Sequence, residues 1–329
     1  MNKFTKINRF SKPLDLANNI VFLDGITRSG KLLLGTLVSS FNRMESFELG
    51  ESFEHFMAAL RLKRTSIDFS KAFLGIYLNQ TLYNKMISRN VNFRKTDKTS
   101  IFNFRDPKLY KQRVNKKEGS DVLKRIKKEK PIFPLVTHDI MCNYNLFTKL
   151  DLKVKFIEIY RNPFELVYSW YKRGHGRRMG KDPTHFTILL SNNNKKKYPW
   201  YLNKLPKKWN NLNEIEKCSH FVIQLTNESV TNQKRIKNKN KIFTSSYERI
   251  TENTFNELIK ISKFLKTNLS KETSNIIKKS HCPNLSIRKK INNKKKFIKN
   301  NIRKDLYLSL ENLEKKYYKN IYSFRKDAK

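Results

Sequence analysis

The sequence predicts an α/β protein whose central parallel β-sheet is flanked by helices. Three short apolar runs carry this prediction, because each is followed by a loop and then by a segment with helical spacing: Ile20 to Asp24, Ile132 to Thr137 and Val154 to Tyr160. Successive strand, loop and helix units are typical of parallel sheets. With 23 Phe, 14 Tyr and 3 Trp in 329 residues, the chain carries enough apolar material for a large core, which excludes global disorder.

The other elements follow from the same periodicity. Helices are predicted over residues 32–41, 51–64, 68–89, 122–128, 143–150, 163–172, 212–235 and 306–322. Lys241 to Ser246 is a fourth candidate strand, and Thr251 is placed to cap an amphipathic helix that ends at Leu265. Gly, Pro and Asn concentrate in residues 174–211, which we interpret as a loop or lid.

The chain shows no internal repeat and no linker, so we expect one domain over residues 1–329. Residues 51–130 and 174–235 are expected to be insertions into this domain. Residues 270–329 are expected to form a basic, helical C-terminal segment. Within it, nine of the nineteen residues from Ser286 to Lys304 are Lys or Arg.

Charge and cysteine content narrow the class of protein. The excess of 70 Lys and Arg over 28 Asp and Glu gives a formal charge of +42, which favours anionic partners. Three cysteines without a C-x-x-C pair disfavour a disulfide framework or a cysteine zinc site. No apolar run approaches the roughly 18 residues of a membrane span, and no apolar signal core opens the chain. We expect a cytoplasmic protein without a membrane span.

The loop after the first strand has the spacing of a phosphate-binding loop. Gly25 to Leu32 reads G-x-x-x-x-G-K between a predicted strand and a predicted helix. Glycines allow successive N–H groups to face one anion, and the helix N-terminus adds partial positive charge. Arg28 and Lys31 add full charges, which a simple turn at a helix start would not favour. Leu32 stands where magnesium-dependent NTPases place Ser or Thr, which disfavours that class.

The loop after the third strand carries a second candidate anion site. Arg161 ends the strand, and Pro163 suits the first turn of the following helix. Ser169 lies eight residues after Arg161, about two helical turns, so that its hydroxyl can face the same crevice as the guanidinium. Together these two side chains can hold a second phosphate. Taken alone, Arg near a helix start and Ser within a helix are common surface features.

Taken together, the two loops resemble those of the sulfotransferase family that uses 3′-phosphoadenosine 5′-phosphosulfate (PAPS). That family has a G-x-x-[RK]-S-G loop for the 5′-phosphosulfate, similar to Gly25 to Gly30. It also has R-x-P with Ser eight residues after Arg, similar to Arg161 to Ser169, for the 3′-phosphate. A strand ending in Tyr247-Glu248 before a helix is a third similarity. The resemblance covers about residues 18–45, 130–175 and 240–290, and it implies a P-loop NTPase-like three-layer sandwich with PAPS as co-substrate and no metal.

The resemblance also implies which residues bind the donor: Gly25, Thr27, Arg28, Ser29, Gly30, Lys31, Leu32, Arg161, Ser169, Tyr247 and Arg288. Arg288 belongs to the basic C-terminal segment, which resembles a clamp on the 3′-phosphate in similar enzymes. One departure stands out, since the family usually has Thr-Thr after the loop glycine and this chain has Lys31-Leu32. The change removes two hydroxyls and adds a cation.

Sulfuryl transfer to an alcohol requires a base, and His138 is the first candidate because it ends the second predicted strand. Cytosolic family members resemble this chain in having a catalytic His at a similar interval before the Arg motif. Other branches of the family use a Glu soon after the first helix, where this chain has Glu48, Glu51 and Glu54, and Glu51 is the second candidate. Arg28 and Lys31 are expected to stabilise charge that develops on the leaving group. Asp139 is expected to be a solvated neighbour or a helix cap.

These patterns predict an enzyme that transfers the sulfuryl group of PAPS to a hydroxyl, less readily an amine, of a small-molecule or carbohydrate acceptor. Two alternatives stay open: a P-loop small-molecule phosphotransferase, and a non-enzymatic basic nucleic-acid-binding protein. Nucleic acid is disfavoured because Phe297 is the only aromatic residue in the basic stretch from Ser286 to Lys304. Neither the acceptor nor the oligomeric state follows from the sequence.

Overall fold

Five parallel strands form the central sheet in a computed structural model that describes residues 9–192, 197–202, 205–206, 209–236, 238–285 and 290–319. The strands of the chain are β1 Ile20–Asp24, β2 Glu48–Leu49, β3 Phe133–Val136, β4 Val154–Tyr160, β5 Leu189–Ser191, β6 Lys197–Pro199 and β7 Ile242–Ser246. In the sheet the order is β2, β3, β1, β4, β7, and β5 and β6 form a separate antiparallel pair. Ile20 of β1 lies opposite Phe133 on one side and Val154 on the other.

Helices connect and cover these strands. They are α1 Lys31–Val38, α2 Glu51–Arg61, α3 Ile67–Met86, α4 Pro107–Arg113, α5 Ser120–Glu129, α6 Tyr144–Phe147, α7 Pro163–Lys172, α8 His175–Arg178, α9 Glu214–Lys234, α10 Tyr247–Glu252, α11 Thr254–Leu265, α12 Thr273–Lys279, α13 Ile291–Lys299 and α14 Lys304–Tyr317. Short 3₁₀ turns flank α6 at Met141–Asn143 and Thr148–Leu150. In the described chain, no helix combines the length and apolar character needed to cross a membrane.

The alternation of β1 side chains divides the core into two layers. Phe22 joins one apolar cluster with Phe53 of α2 and Leu78 of α3. Leu23 faces the opposite side and joins a second cluster with helices α1 and α11. All side chains of β1 are buried, which is typical of a parallel sheet covered on both faces. The predicted three-layer α/β sandwich is therefore confirmed.

The ranges expected to be insertions pack into this core. Phe53, Leu78 and Val122, from α2, α3 and α5, belong to the cluster on one face of the sheet. Helix α9 contributes Phe221 to a third cluster, which also contains Trp170 of α7. Residues 51–130 and 174–235 thus supply one layer and one flank of the domain, although 174–211 also contains the hairpin of β5 and β6.

Local capping differs from the prediction at one helix. Thr251 does not cap the helix that follows β7, because it lies inside α10 and its hydroxyl donates to the carbonyl of Tyr247 at 2.9 Å. The cap is Ser246, whose side chain accepts from the backbone N–H of Arg249 at 3.2 Å. Helix α10 ends at Glu252, and α11 begins at Thr254, after Asn253.

Candidate active site

Three strand ends meet at one edge of the sheet, because β1 pairs in parallel with β3 and with β4. The loop after β1 starts at Gly25, the segment after β3 carries His138, and the loop after β4 starts at Arg161. The Thr137 hydroxyl donates to Asp24 at 2.8 Å and ties the first two of these segments together. Ligands of open α/β sheets bind in the crevice outside this edge.

The loop after β1 is curled by three residues with positive φ: Gly25 at 144°, Arg28 at 73° and Gly30 at 107°. A Cβ at Gly25 would overlap the carbonyl oxygen of Ile159, and a Cβ at Gly30 would overlap the ring of Tyr247. Both positions therefore require glycine. Helix α1 begins after Gly30 without a side-chain cap and without an acidic residue in its first turn, which leaves its N-terminus suited to an anion.

Arg28 and Arg161 join the two predicted anion loops. Arg28 Nε donates to Ser169 Oγ at 3.1 Å, and Arg161 Nη1 donates to the carbonyl oxygen of Arg28 at 2.9 Å. The Arg161 guanidinium lies 4.2 Å from the ring centroid of Tyr247, within cation–π range. The structure thus brings the residues of both motifs, and Tyr247, to one crevice.

The same crevice contains buried polar atoms that lack a protein partner within the described parts of the chain. These atoms are Ser29 Oγ and Arg161 Nε. Thr27 accepts from the indole N–H of Trp170 at 2.7 Å through its carbonyl oxygen, which fixes the loop against α7. Unpaired buried donors are costly, so a bound anion would stabilise this arrangement.

Positive charge is concentrated around Arg28. Burial lowers the pKa of Arg28, and the nearby Arg173 and Arg161 lower this pKa further. Arg161 also donates to Glu165 at 3.0 Å, and Lys294 Nζ lies 2.7 Å from both oxygens of that carboxylate. The basic C-terminal segment therefore reaches the second loop through Lys294. Arg288, the predicted clamp residue, lies outside the described residues.

Lys31 is buried against the backbone of the loop. Its side chain is 3% exposed, and Nζ donates to the carbonyl oxygens of Gly25 and Ile26 at 2.5 and 2.8 Å. The contact of Lys31 with the donor stays a prediction. Leu32, at the start of α1, is 42% exposed and offers no polar side-chain atom.

Burial lowers the pKa of the Lys31 ammonium, and the electrostatic effect of four carboxyl groups opposes this shift. They are Asp24 of β1, Glu54 of α2, Asp139 after β3 and Glu158 of β4. Burial, reinforced by Asp139, raises the pKa of Glu54 to about 8. Burial raises the pKa of Asp139 to about 7, and burial also raises the pKa of Glu158. The expectation that Asp139 is a solvated neighbour is wrong, because this residue is 4% exposed.

His138 and Glu54 form the candidate proton-transfer pair. His138 Nδ1 lies 3.6 Å from Glu54 Oε2, and the imidazole is 26% exposed. Burial, Lys31 and His175 lower the pKa of His138 well below its ordinary value. The imidazole is therefore neutral at neutral pH and can accept a proton.

Glu51, the second predicted base, is exposed in the first turn of α2. The carboxyl beside His138 is Glu54, three residues later on the same helix, and the role of Glu51 as a base stays a prediction. The sequence signal for Glu54 was present, since residues three apart share a helix face. The sequence does not specify where α2 begins, and therefore it does not specify which Glu of this helix faces β3. Among the described residues, no His, Cys, Asp and Glu cluster is arranged to hold a metal ion.

A family model of the sulfotransferase domain matches residues 19–322 of this chain. No curated protein sequence matches this chain. Solved structures with a similar topology include the sulfotransferase domain from the Synechococcus PCC 7002 olefin synthase, with 13% identity over 94% of this chain and 98% of that one and a TM-score of 0.47. The sulfotransferase domain from the curacin biosynthetic pathway has 11% identity over 78% and 77% of the two chains and a TM-score of 0.42.

Mouse sulfotransferase SULT7A1, solved in complex with PAP, has 13% identity over 93% of this chain and 87% of that one, with a TM-score of 0.40. The family model covers most of the chain, so the assignment of this chain to a family rests on that match. The protein is therefore a transferase by class, and the chain belongs to the sulfotransferase domain family.

We predict that Gly25→Ala destabilises the fold by about 2 to 4 kcal/mol, because the backbone at φ 144° is unsuited to a side chain and Cβ would overlap Ile159. Denaturant unfolding measures this change. The matched control is Gly174→Ala, whose backbone is left-handed at φ 70° and ψ 21° and whose new Cβ would meet only the flexible side chains of Arg177 and Arg178, at 3.3 Å. The control should lose only about 1 kcal/mol; equal losses would contradict a close-approach role for Gly25.

We predict that the free energy of unfolding falls by on the order of 1 to 2 kcal/mol between about pH 7 and 8.5. Glu54 and Asp139 have pKa values raised to about 8 and about 7, so the folded state holds protons that the unfolded state has released. Their contribution to stability is therefore lost as pH rises. Buried histidines titrate at pH values below this window, so they do not account for the predicted change in the free energy of unfolding.

Chemical denaturation at several pH values measures the slope. Glu54→Gln should reduce it, whereas Glu118→Gln, which changes an exposed carboxylate paired with Arg89, should leave it unchanged. A slope that is the same in all three proteins would contradict the assignment of the raised pKa to Glu54.

Proposed function

We propose that this chain is a PAPS-dependent sulfotransferase that transfers a sulfuryl group to a hydroxyl of a small-molecule or carbohydrate acceptor. The observation that carries the proposal is the junction of the two anion loops, in which Arg28 Nε donates to Ser169 Oγ and Arg161 Nη1 donates to the carbonyl oxygen of Arg28. Two cationic side chains thus lie where two phosphate-bearing groups of one ligand can reach them together.

The donor fits the residues of this crevice. The loop from Gly25 to Gly30 and the uncapped N-terminus of α1 suit the 5′-phosphosulfate, with Arg28 as the full charge. Arg161 and Ser169 suit the 3′-phosphate, and the unpaired Ser29 Oγ and Arg161 Nε supply further hydrogen-bonding capacity. When bound, the donor supplies an electrophilic sulfuryl group, and the charge that grows on its phosphate is of the kind that Arg28 stabilises.

Absence of a Ser or Thr after Lys31 favours this donor over a magnesium nucleotide. Leu32 occupies that position and its side chain has no oxygen with which to bind a metal ion. Phosphate recognition in the crevice therefore relies on guanidinium groups and backbone amides. PAP, the desulfated product, is accordingly the most direct binding probe.

The proton of the acceptor hydroxyl is proposed to pass to His138. Its pKa is lowered by burial, Lys31 and His175, so the imidazole is neutral and available at neutral pH. Glu54 Oε2 lies 3.6 Å from Nδ1, where the carboxyl can help to orient the ring. Because the pKa of Glu54 is raised to about 8, this carboxyl is mostly protonated at neutral pH, and only its ionised form, which grows as pH rises towards 8, makes Glu54 the alternative base.

We predict that the protein binds PAP in the presence of EDTA and that Arg161→Ala weakens this binding by at least ~1.5 kcal/mol, about tenfold, the scale of a lost charge-assisted hydrogen bond. Isothermal titration calorimetry measures both affinities. Because the chain carries a formal charge of +42, the control is Arg94→Ala, which removes one exposed guanidinium paired with Asp97. Binding that needs magnesium, or equal losses in the two variants, would refute the proposed donor site.

We predict that His138→Ala keeps PAP affinity within about threefold and lowers turnover at least ~100-fold, because a general base contributes about 10² to 10⁴. Steady-state assays with PAPS and a panel of hydroxyl acceptors measure turnover. Glu54→Gln should lower it by a smaller factor if the carboxyl only orients the imidazole. Near wild-type turnover in His138→Ala, with collapse in Glu54→Gln, would assign the base to Glu54.

A further inference from the structure

Protein groups hold the Arg161 guanidinium on two sides and leave one of its donors without a partner. Nη1 donates to the carbonyl oxygen of Arg28 at 2.9 Å, and Nη2 donates to Glu165 Oε2 at 3.0 Å. The ring of Tyr247 covers one face, with its centroid 4.2 Å away. Nε is buried and has no partner among the described residues. Because the guanidinium is planar and rigid, these contacts also fix the direction of the unpaired Nε–H.

Glu165 would by itself weaken Arg161 as an anion site, because a carboxylate in contact with the guanidinium cancels its charge. The Glu165 side chain is 2% exposed, so water screens this carboxylate little. A second cation lies on the same carboxylate, since Lys294 Nζ of α13 is 2.7 Å from both oxygens. Two positive charges and one negative charge leave the group with a net positive charge.

The C-terminal helices fix Lys294 in this place. The next residue, Lys295, donates to Glu314 of α14 at 2.5 Å, and Glu314 accepts from Asn162 Nδ2 at 2.6 Å. Asn162 is the cap residue of α7 and belongs to the second anion loop. Helices α13 and α14 are therefore attached to this loop at two neighbouring points, through Glu165 and through Asn162.

We propose that Glu165 and Lys294 are positioning residues for Arg161 and form an ion triad with it. Glu165 orients the guanidinium. Lys294 compensates the charge of Glu165, so that Arg161 keeps the positive charge with which it binds a phosphate. Neither Glu165 nor Lys294 contacts that phosphate in this proposal. The role towards the phosphate of the donor rests on the proposed function, whereas the triad itself rests on the distances between its atoms.

The alternative is that Lys294 is itself a ligand of the phosphate. The two roles differ in how Lys294 depends on Glu165. A direct ligand strengthens binding whether or not residue 165 carries a charge. A compensating cation strengthens binding only while the Glu165 charge is present. A double-mutant cycle between the two positions separates these roles.

The first cycle needs no ligand. Chemical denaturation is measured for the unsubstituted protein, Lys294→Met, Glu165→Gln and the double variant, in which Met and Gln approximate the shapes of the original side chains without their charges. We expect Lys294→Met to lower the denaturation midpoint, because the buried carboxylate is left with one cation. The same substitution should lower the midpoint less than about half as much in the Glu165→Gln background. Equal losses in both backgrounds overturn the triad.

The second cycle measures the PAP affinity of the same four proteins by calorimetry. We expect Lys294→Met to weaken binding at least about fivefold in the unsubstituted background and less than about twofold in the Glu165→Gln background, the scale of coupling between groups in contact. The matched control is Lys296→Met, which removes an exposed lysine of the same helix and should weaken binding less than about twofold. Equal losses in the two backgrounds would make Lys294 a phosphate ligand and overturn the proposal, as would an equal loss in Lys296→Met.

The orienting role of Glu165 is tested by the preference for PAP over 5′-AMP, which lacks the 3′-phosphate. Glu165→Gln keeps an oxygen that can accept from Arg161 Nη2 and should keep the preference within about twofold. Glu165→Ala removes the acceptor and should lower the preference at least about fivefold. An equal preference in the two variants means that the substitutions act on the fold as a whole, which overturns the orienting role.

The two cycles distinguish failure of this inference from failure of the proposed function. If the unsubstituted protein binds no PAP, the proposed donor is wrong, and the denaturation cycle alone decides whether the triad exists. If PAP binds and the second cycle shows no coupling between Lys294 and Glu165, the donor stands and the compensating role of Lys294 is wrong.

Discussion

The parallel pairing of β1 with β3 and β4 is the constraint on which the site depends. Parallel strands in register end at the same edge, so the loops that follow them are neighbours although they lie far apart in sequence. Arg28, His138 and Arg161 meet for this reason alone. The helices that return the chain between strands build both apolar layers, so the same crossovers supply the core and position the chemistry.

Around this edge, basic groups lie at the loop mouth and carboxyl groups are buried at the strand ends. The guanidinium groups of Arg28 and Arg161 belong to the joined loops, whereas Asp24, Asp139 and Glu158 are almost inaccessible to solvent. Burial raises the pKa of Asp139 and of Glu158, so their neutral forms are favoured and they offset less of the positive charge at the loop mouth. The imidazole of His138 stays neutral because burial, Lys31 and His175 lower its pKa.

Local signals explain what the sequence could predict. The β1 and β4 strands and the start of α7 were predicted at the observed residues because apolar runs bounded by Gly25 and by Asn162-Pro163 mark them unambiguously. The eight-residue spacing from Arg161 to Ser169 likewise follows from helix geometry. The choice between Glu51 and Glu54 did not, because it depends on the rotation of α2 against β3, which only tertiary packing fixes.

Lys31 shows most clearly why spacing alone is insufficient. A lysine next to the loop glycine has a long side chain that can turn towards the ligand or back beneath the loop, and both directions satisfy the same motif. The hydrogen bonds distinguish the two directions, since Nζ donates to the carbonyl oxygens of Gly25 and Ile26. Whether those carbonyls are available to the lysine depends on the turn of the backbone at Gly25, where φ is 144°, and on the packing of that turn against Ile159 of β4. The sequence therefore specifies where the lysine lies along the loop, whereas the tertiary contacts of the loop specify the direction of its side chain.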